Sequence, residues 1–313
     1  MMVLENVTKI YRIGTFGGKR LKAVDDVSFE IDEGEIVSLI GESGSGKTTI
    51  GKMILRLIRP TSGRILFNGK DIGQFKKNEL KDYYRKVQGV FQDPFSSYNP
   101  LYKVDRIFDI AREEFFPDIG RNEWKNRIEE KLRSVGLNPL EVLGKFPHQL
   151  SGGQLQRLLI ARALVMNVRF LVADEIISML DASTRIDVLN LLAELKDSGL
   201  SILFITHDLS LGYYISDKTV ILYRGSIMEY GDTEKIFNSP AHPYTISLME
   251  SIPRIDERWR MRSAVIQGKE KSIRNGRMCK FYHRCFKGDE SCVEPPLIEV
   301  EKDHFVRCSK IGT

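Results

Sequence analysis

Residues 41–49 read GESGSGKTT, and this stretch decides the fold. It fits the spacing G-x-x-x-x-G-K-[ST]. Gly41, Ser43, Gly44, Ser45 and Gly46 form a flexible loop whose backbone amides can close around phosphate oxygens. Lys47 brings a mobile positive charge to the β- and γ-phosphates, Thr48 offers a hydroxyl to Mg²⁺, and Thr49 completes the run. The flanks agree. GEIVSLI before the loop is a short apolar run, as in a buried strand. TTIGKMILRLI after it repeats apolar residues at Ile50, Ile54, Leu57 and Ile58, the period of a helix.

Further out, VLENVTKIY and AVDDVSFEI alternate apolar and polar residues like half-buried strands. VQGVFQ, FLVADE, SILFITHD and KTVILY are short strand-like apolar runs. STRIDVLNLLAELKDSG reads as a helix ending at Gly199. Residues 104–148 change character: they are richly charged, with Trp124, Ile128, Leu132 and Val135 in helical register and Gly136 as a stop. This predicts an inserted helical segment. Strands alternating with helices predict an α/β fold with a parallel sheet covered on both faces. From about Pro253 onward the periods are weak.

Several polar residues end these strands. FLVADE closes on Asp174, placed to hold Mg²⁺ through its water shell, and Glu175, placed to orient and deprotonate a water near the γ-phosphate. His207 ends SILFITHD and is either a γ-phosphate contact or an ordinary loop histidine. Gln92 ends VQGVFQ, where its amide can reach the metal's water shell. Tyr11 can stack on an adenine ring or serve as a plain strand aromatic. A second glycine turn, HQLSGGQLQR (148–157), opens an apolar-periodic run. Ser151, Gly152, Gly153 and Gln154 there look like a helix start with amides available to an anion.

Composition bounds the class. The 313 residues are 42% hydrophobic and 28% charged, a soluble globular balance with material for a sizeable core. No basic-then-apolar leader and no run of about 18 apolar residues is present. The chain is therefore expected inside the cell, with any membrane role reached through partners. Between Arg254 and Arg284 ten Lys/Arg face three Asp/Glu, a net of +7, while the whole chain carries +5, leaving about −2 elsewhere. No recognition motif or aromatic stacking pattern accompanies the basic run. The run therefore reads as a solvated surface offsetting nearby negative charge, ahead of a nucleic-acid or anionic-lipid contact.

The ordered set GESGSGKT, FQDP, LSGGQLQR, FLVADE, SMLD and THD resembles the ATPases of ABC transporters, over about residues 1–250. The resemblance implies a P-loop NTPase cassette: a RecA-like nucleotide-binding core, an antiparallel β edge and a helical subdomain near 93–165. Residues 1–252 would form it. It further implies ATP and Mg²⁺, Tyr11 as the adenine-stacking aromatic, and two cassettes closing head to tail. Ser151, Gly152 and Gly153 would then reach the γ-phosphate held by the other chain, and Asp181 would help join the two sites. Both helix starts need negative charge, which ATP supplies between them.

Finer wording, such as ILRLIRPTSGRILFNGKDI, VFQDPFSSYNP and AHPYTISLMESIP, resembles the F-type ATPase subunit of oligopeptide and dipeptide importers. That implies a second, different ATPase chain, two transmembrane permease subunits, an extracytoplasmic solute-binding protein, and a peripheral place on the cytoplasmic face of the membrane. No nucleic-acid partner is expected. Residues near Gln92 to Pro100 would receive the permease's coupling helix. In relatives the tail pattern C-x5-C-x6-C-x15-C, here Cys279, Cys285, Cys292 and Cys308, holds a four-iron four-sulfur cluster within an extension spanning 253–313. From the residues alone, zinc, disulfides or unligated thiols stay open. The chain departs from the pattern at Ile176-Ile177, where Pro-Thr is usual, at Met179, where Ala is common, and at Phe286, where Pro is frequent. Similar variants occur among sugar-importing relatives, so oligosaccharide import stays open. A non-transport ABC ATPase acting on nucleic acid or ribosomes is a third reading.

Overall fold

IVSLI, FLVAD, SILFIT and KTVILY offer water almost no polar face, so they are stable only between two covering layers. The computed structural model describes residues 1–14, 18–251 and 278–311. The chain begins with β1 (Met2–Ile13), β2 (Lys19–Ile31), β3 (Ile36–Ile40) and α1 (Lys47–Ile54). There follow β4 (Ser62–Phe67), β5 (Lys70–Asp71), α2 (Lys77–Lys86) and β6 (Val87–Val90). A helical stretch holds α3 (Arg106–Phe115), α4 (Arg121–Ser134), α5 (Pro139–Val142) and α6 (Gly152–Val165). Alternation resumes with β7 (Phe170–Asp174), α7 (Ala182–Asp197), β8 (Ser201–Thr206), α8 (Leu209–Ile215) and β9 (Lys218–Tyr223). Last come β10 (Ser226–Asp232), α9 (Thr233–Asn238), α10 (Pro243–Glu250), β11 (Ile298–Glu301) and β12 (His304–Val306).

Two sheets form. One is antiparallel, in the order β2-β1-β4-β5. The other runs β11-β12-β10-β9-β3-β8-β7-β6, with β9, β3, β8, β7 and β6 mutually parallel. Because β3, β8 and β7 are adjacent and parallel, the loops after them gather along one edge, where open α/β sheets bind ligands.

One face of the large sheet packs against the helical stretch. Phe108, Trp124, Ile128, Leu132, Leu155 and Leu158 share a core with Leu189 and Leu192 of α7 and Ile202 and Phe204 of β8. The inserted helices are therefore continuous with the sheet's own core. The other face meets the antiparallel sheet, and Ile50, Met53 and Ile54 of α1 lie buried among residues of both sheets. Helix stops fall where glycine permits a left-handed turn: α4 ends just before Gly136 and α7 just before Gly199.

The tail departs from its sequence reading. Its weak periodicity gave no strand signal, yet β12 pairs antiparallel with β10 and β11 pairs with β12. Two residues explain the docking. Glu229 of β10 is completely buried, and its carboxylate accepts the amides of Ala241 (2.8 Å) and His242 (3.0 Å). Its remaining partner is Nε2 of His304 on β12, at 2.7 Å, itself buried. A buried carboxylate needs such a full set of partners. The expected boundary at 252/253 and most of the basic run lie outside the described residues.

Candidate nucleotide site

The loop after β3 is shaped by its glycines. Gly46 has φ of 109°, and a Cβ there would sit 2.4 Å from the carbonyl oxygen of Ala23. Only glycine fits both demands. The loop then runs into α1, whose first residue is Lys47. Its Nζ folds back to donate to the carbonyls of Gly41 (2.7 Å) and Glu42 (3.1 Å). Burial pushes the Lys47 ammonium below its usual range, while the carboxylates of Glu175, Asp174 and Glu42 oppose that.

Thr48 Oγ1 donates to Asp174 Oδ1 at 3.2 Å. Asp174 is buried, and that burial raises its pKa, with Glu175 adding to the shift and the Thr48 bond opposing it. A desolvated carboxylate beside a hydroxyl fits a divalent cation, whose charge would offset the burial cost. Glu175 follows on a strained backbone: its φ is 51°, which costs a non-glycine residue roughly 1–2 kcal/mol. Its amide donates to the carbonyl of Ile205 on neighbouring β8 (2.9 Å), and its carbonyl accepts from the Ser178 hydroxyl (2.9 Å). His207 Nδ1 lies 3.5 Å from the Glu175 carboxylate. The two line a small cavity with Ser178, Thr206 and Arg185. Sequence reading did not pick out Arg185, which stands in the first turn of α7 without a motif.

Other expected residues lie farther out. Gln92 falls two residues beyond β6 and is exposed, and among the described residues no hydrogen bond joins it to Thr48 or Asp174. Tyr11 is partly exposed on β1 with Lys9 Nζ 5.3 Å from its ring centre. Ser151 caps α6: its hydroxyl accepts the Gln154 amide (3.2 Å) and its own amide donates to the Gln154 side chain (3.0 Å). So the Gln154 amide, expected to be available to an anion, is occupied by the cap. Gly153 must be small, because a Cβ there would come within 2.7 Å of Thr184 on α7. Asp181 caps α7, accepting from the Thr184 amide (3.1 Å) and hydroxyl (2.8 Å) and the Ser183 hydroxyl (2.6 Å), bonds that hold its pKa far below the usual carboxylate range. The departures Ile176 and Ile177 are buried in the main core, whereas Met179 and Phe286 are exposed.

The cysteine expectation gains no support from the arrangement of the tail. Cys279, Cys285, Cys292 and Cys308 are all free thiols. Among the described residues no group of three or more His, Cys, Asp or Glu could hold a metal ion. Burial pushes the Cys279 thiol up to about 11 and also raises Cys285, aided by neighbouring thiols. Cluster ligands are thiolates, so a bound metal or cluster would have to offset the cost of ionising Cys279 and Cys285 in these surroundings.

The phosphate loop, the Thr48–Asp174 pair and the Glu175–His207 pair, on this sheet order, define an ATP-binding cassette of the ABC-transporter class, an ATPase. The ABC transporter family model matches residues 24–178, and the model of the oligopeptide/dipeptide transporter C-terminal region matches 228–292. Among relatives, the chain is 40% identical to the oligopeptide transport ATP-binding protein AppF of Bacillus subtilis, covering 98% of this chain and 96% of that one. It is 41% identical to OppF of Streptococcus pyogenes, over 93% and 90% of the two chains. Among solved structures, the dimeric post-hydrolysis state of the cassette MJ0796 bound to ADP and Pi superposes with a TM-score of 0.66. It is 30% identical and spans 74% of this chain and 99% of that one. The cbiO1 protein of Clostridium perfringens gives a TM-score of 0.65 at 26% identity, over 76% and 90%. The chain belongs to the family of oligopeptide/dipeptide-transporter ATP-binding proteins. Among its described residues no helix is long and apolar enough to cross a membrane.

Proposed function

We propose that this ATPase powers import of oligopeptides or dipeptides. It would sit at the cytoplasmic face of the membrane beneath two permease subunits, fed by an extracytoplasmic solute-binding protein and paired with a second cassette chain. The convergence of Thr48, Asp174, Glu175 and His207 beside the 41–49 loop carries the reading.

Each group has a task. Lys47 exchanges its two loop carbonyls for phosphate oxygens. Thr48 and Asp174 are the residues that would hold Mg²⁺, which supplies charge to the phosphates. Glu175 accepts a proton from the attacking water, with its backbone direction fixed by Ile205 and Ser178, and His207 orients that water and the γ-phosphate. Tyr11 would stack on the adenine, and Gln92 would help hold Mg²⁺ from within the 92–100 stretch that would receive the permease. Ser151, Gly152 and Gly153 receive the γ-phosphate of the partner cassette, and Asp181 lies between the two sites. ATP thus favours the closed pair and hydrolysis releases it.

Reconstitution with permease and binding protein in vesicles tests the reading. Peptides should stimulate ATP turnover and accumulate inside; stimulation by oligosaccharides alone would reassign the cargo. Retention on nucleic acid in place of membrane partners would favour the non-transport alternative. Anaerobic purification with iron and sulfide analysis tests the cysteine tail, where stoichiometric iron would restore the cluster.

A further inference from the structure

The cysteine-bearing tail touches the phosphate loop itself. Arg284, one residue before Cys285, grips the Glu42 carboxylate through a hydrogen bond from Nη1 to Oε2 and an ion-pair contact from Nη2 to Oε1, both 2.9 Å. Glu42 is the first variable position of GESGSGKTT. The Arg284 guanidinium also lies over the rings of Tyr223 (5.8 Å) and Phe281 (5.7 Å). Every polar part of Glu42 is thereby engaged: its side chain by Arg284, its amide by the Tyr244 hydroxyl (3.2 Å), its carbonyl by Lys47 (3.1 Å). A second strut runs in parallel. Lys280, one residue after Cys279, donates to Asp25 (2.7 Å), Ser226 (2.6 Å) and the Arg224 carbonyl (3.2 Å). The adjoining Gly225 amide donates to the carbonyl of Ser45 in the loop (2.8 Å).

We propose that Arg284 is a positioning residue for ATP binding: it neutralises and fixes Glu42, so that the tail sets the affinity of the phosphate loop. The reading rests on the 41–49 loop being the ATP site. Glu42 is near enough to Lys47 to act on its charge. Left unpaired, that carboxylate would repel the incoming phosphates and draw Lys47 toward itself. The Arg284–Glu42 pair is nearly half exposed on each side, so it adds little to fold stability. Its effect should appear in nucleotide affinity.

Fluorescent-ATP binding to the full chain tests this. Arg284→Ala should weaken binding roughly five-fold, the low end of coupling between sites, while the unfolding midpoint without nucleotide stays within about 2 °C of the parent. The loss should shrink as salt rises. Glu42→Gln added to Arg284→Ala should restore affinity, because the freed charge is gone. Arg133→Ala, which breaks a pair with Glu129 on α4, should bind normally. Unchanged affinity in Arg284→Ala overturns the proposal, as does a double variant no tighter than Arg284→Ala. Lys47→Ala separates the two readings. If it binds ATP normally, the site assignment falls and the strut with it; if it fails while Arg284→Ala binds normally, the strut alone falls.

Discussion

A carboxylate at a strand end does useful chemistry only if it starts from a fixed backbone, and the Glu175 main chain is held by its amide's bond to Ile205 and by the Ser178 hydroxyl's bond to its carbonyl. Glu175→Gln keeps the shape and removes the base. It should bind ATP like the parent and lose at least about 100-fold in hydrolysis; a phosphate-release assay showing ordinary turnover would refute the base assignment. A second residue gives a pH signature. Burial lowers the pKa of His242 to about 4, against 6.5 for an ordinary histidine. Between those values the unfolded chain takes up a proton that the folded chain refuses, so stability falls as pH drops from 6.5 toward 4, by at most about 3 kcal/mol. His242→Asn keeps an acceptor for the Tyr244 amide and should flatten the acid side of a melting-temperature profile. At this scale the legible residues were those whose chemistry forces a spacing, such as Lys47, Thr48 and Asp174. Glu42 was not legible, because its partner Arg284 stands 242 residues away and no local pattern links them.

The start of α6 is an element with two demands on it. As a helix it needs a cap, and Ser151 with Gln154 supplies one, a pattern visible in the order S-x-x-Q. As part of the proposed clamp it would also meet a partner's phosphate. The two demands separate on substitution. Ser151→Ala should cost about 1 kcal/mol of stability through the lost cap. Ser151→Asp caps equally well but sets a negative charge where the partner's ATP arrives. Its melting temperature should hold while ATP-dependent pairing, read by size-exclusion chromatography, disappears; pairing at the parent level would remove α6 from the clamp. Elements with a strong period were legible, as α4 and α7 with their glycine stops show. β12 was not: three residues, HFV, are too few to display alternation, and they become a strand only because β10 offers them an edge.

At the scale of the whole molecule, the tail is a structural member of the core sheet. His304→Ala would leave Glu229 buried without its side-chain partner, a loss of about 3 kcal/mol. Chemical denaturation should show it across the whole cooperative transition, and a change confined to the tail would mean that β12 is only loosely attached. The strand–helix alternation made the parallel core legible from the sequence, whereas the joining of distant pieces, β12 onto β10 and Arg284 onto Glu42, depends on contacts that no window of sequence contains. One timing consequence follows from Glu229. It emerges during translation 75 residues ahead of His304, and until that histidine arrives its carboxylate has reason to stay in water. A nascent chain therefore cannot finish the interior around β10 until the later strand has been synthesised.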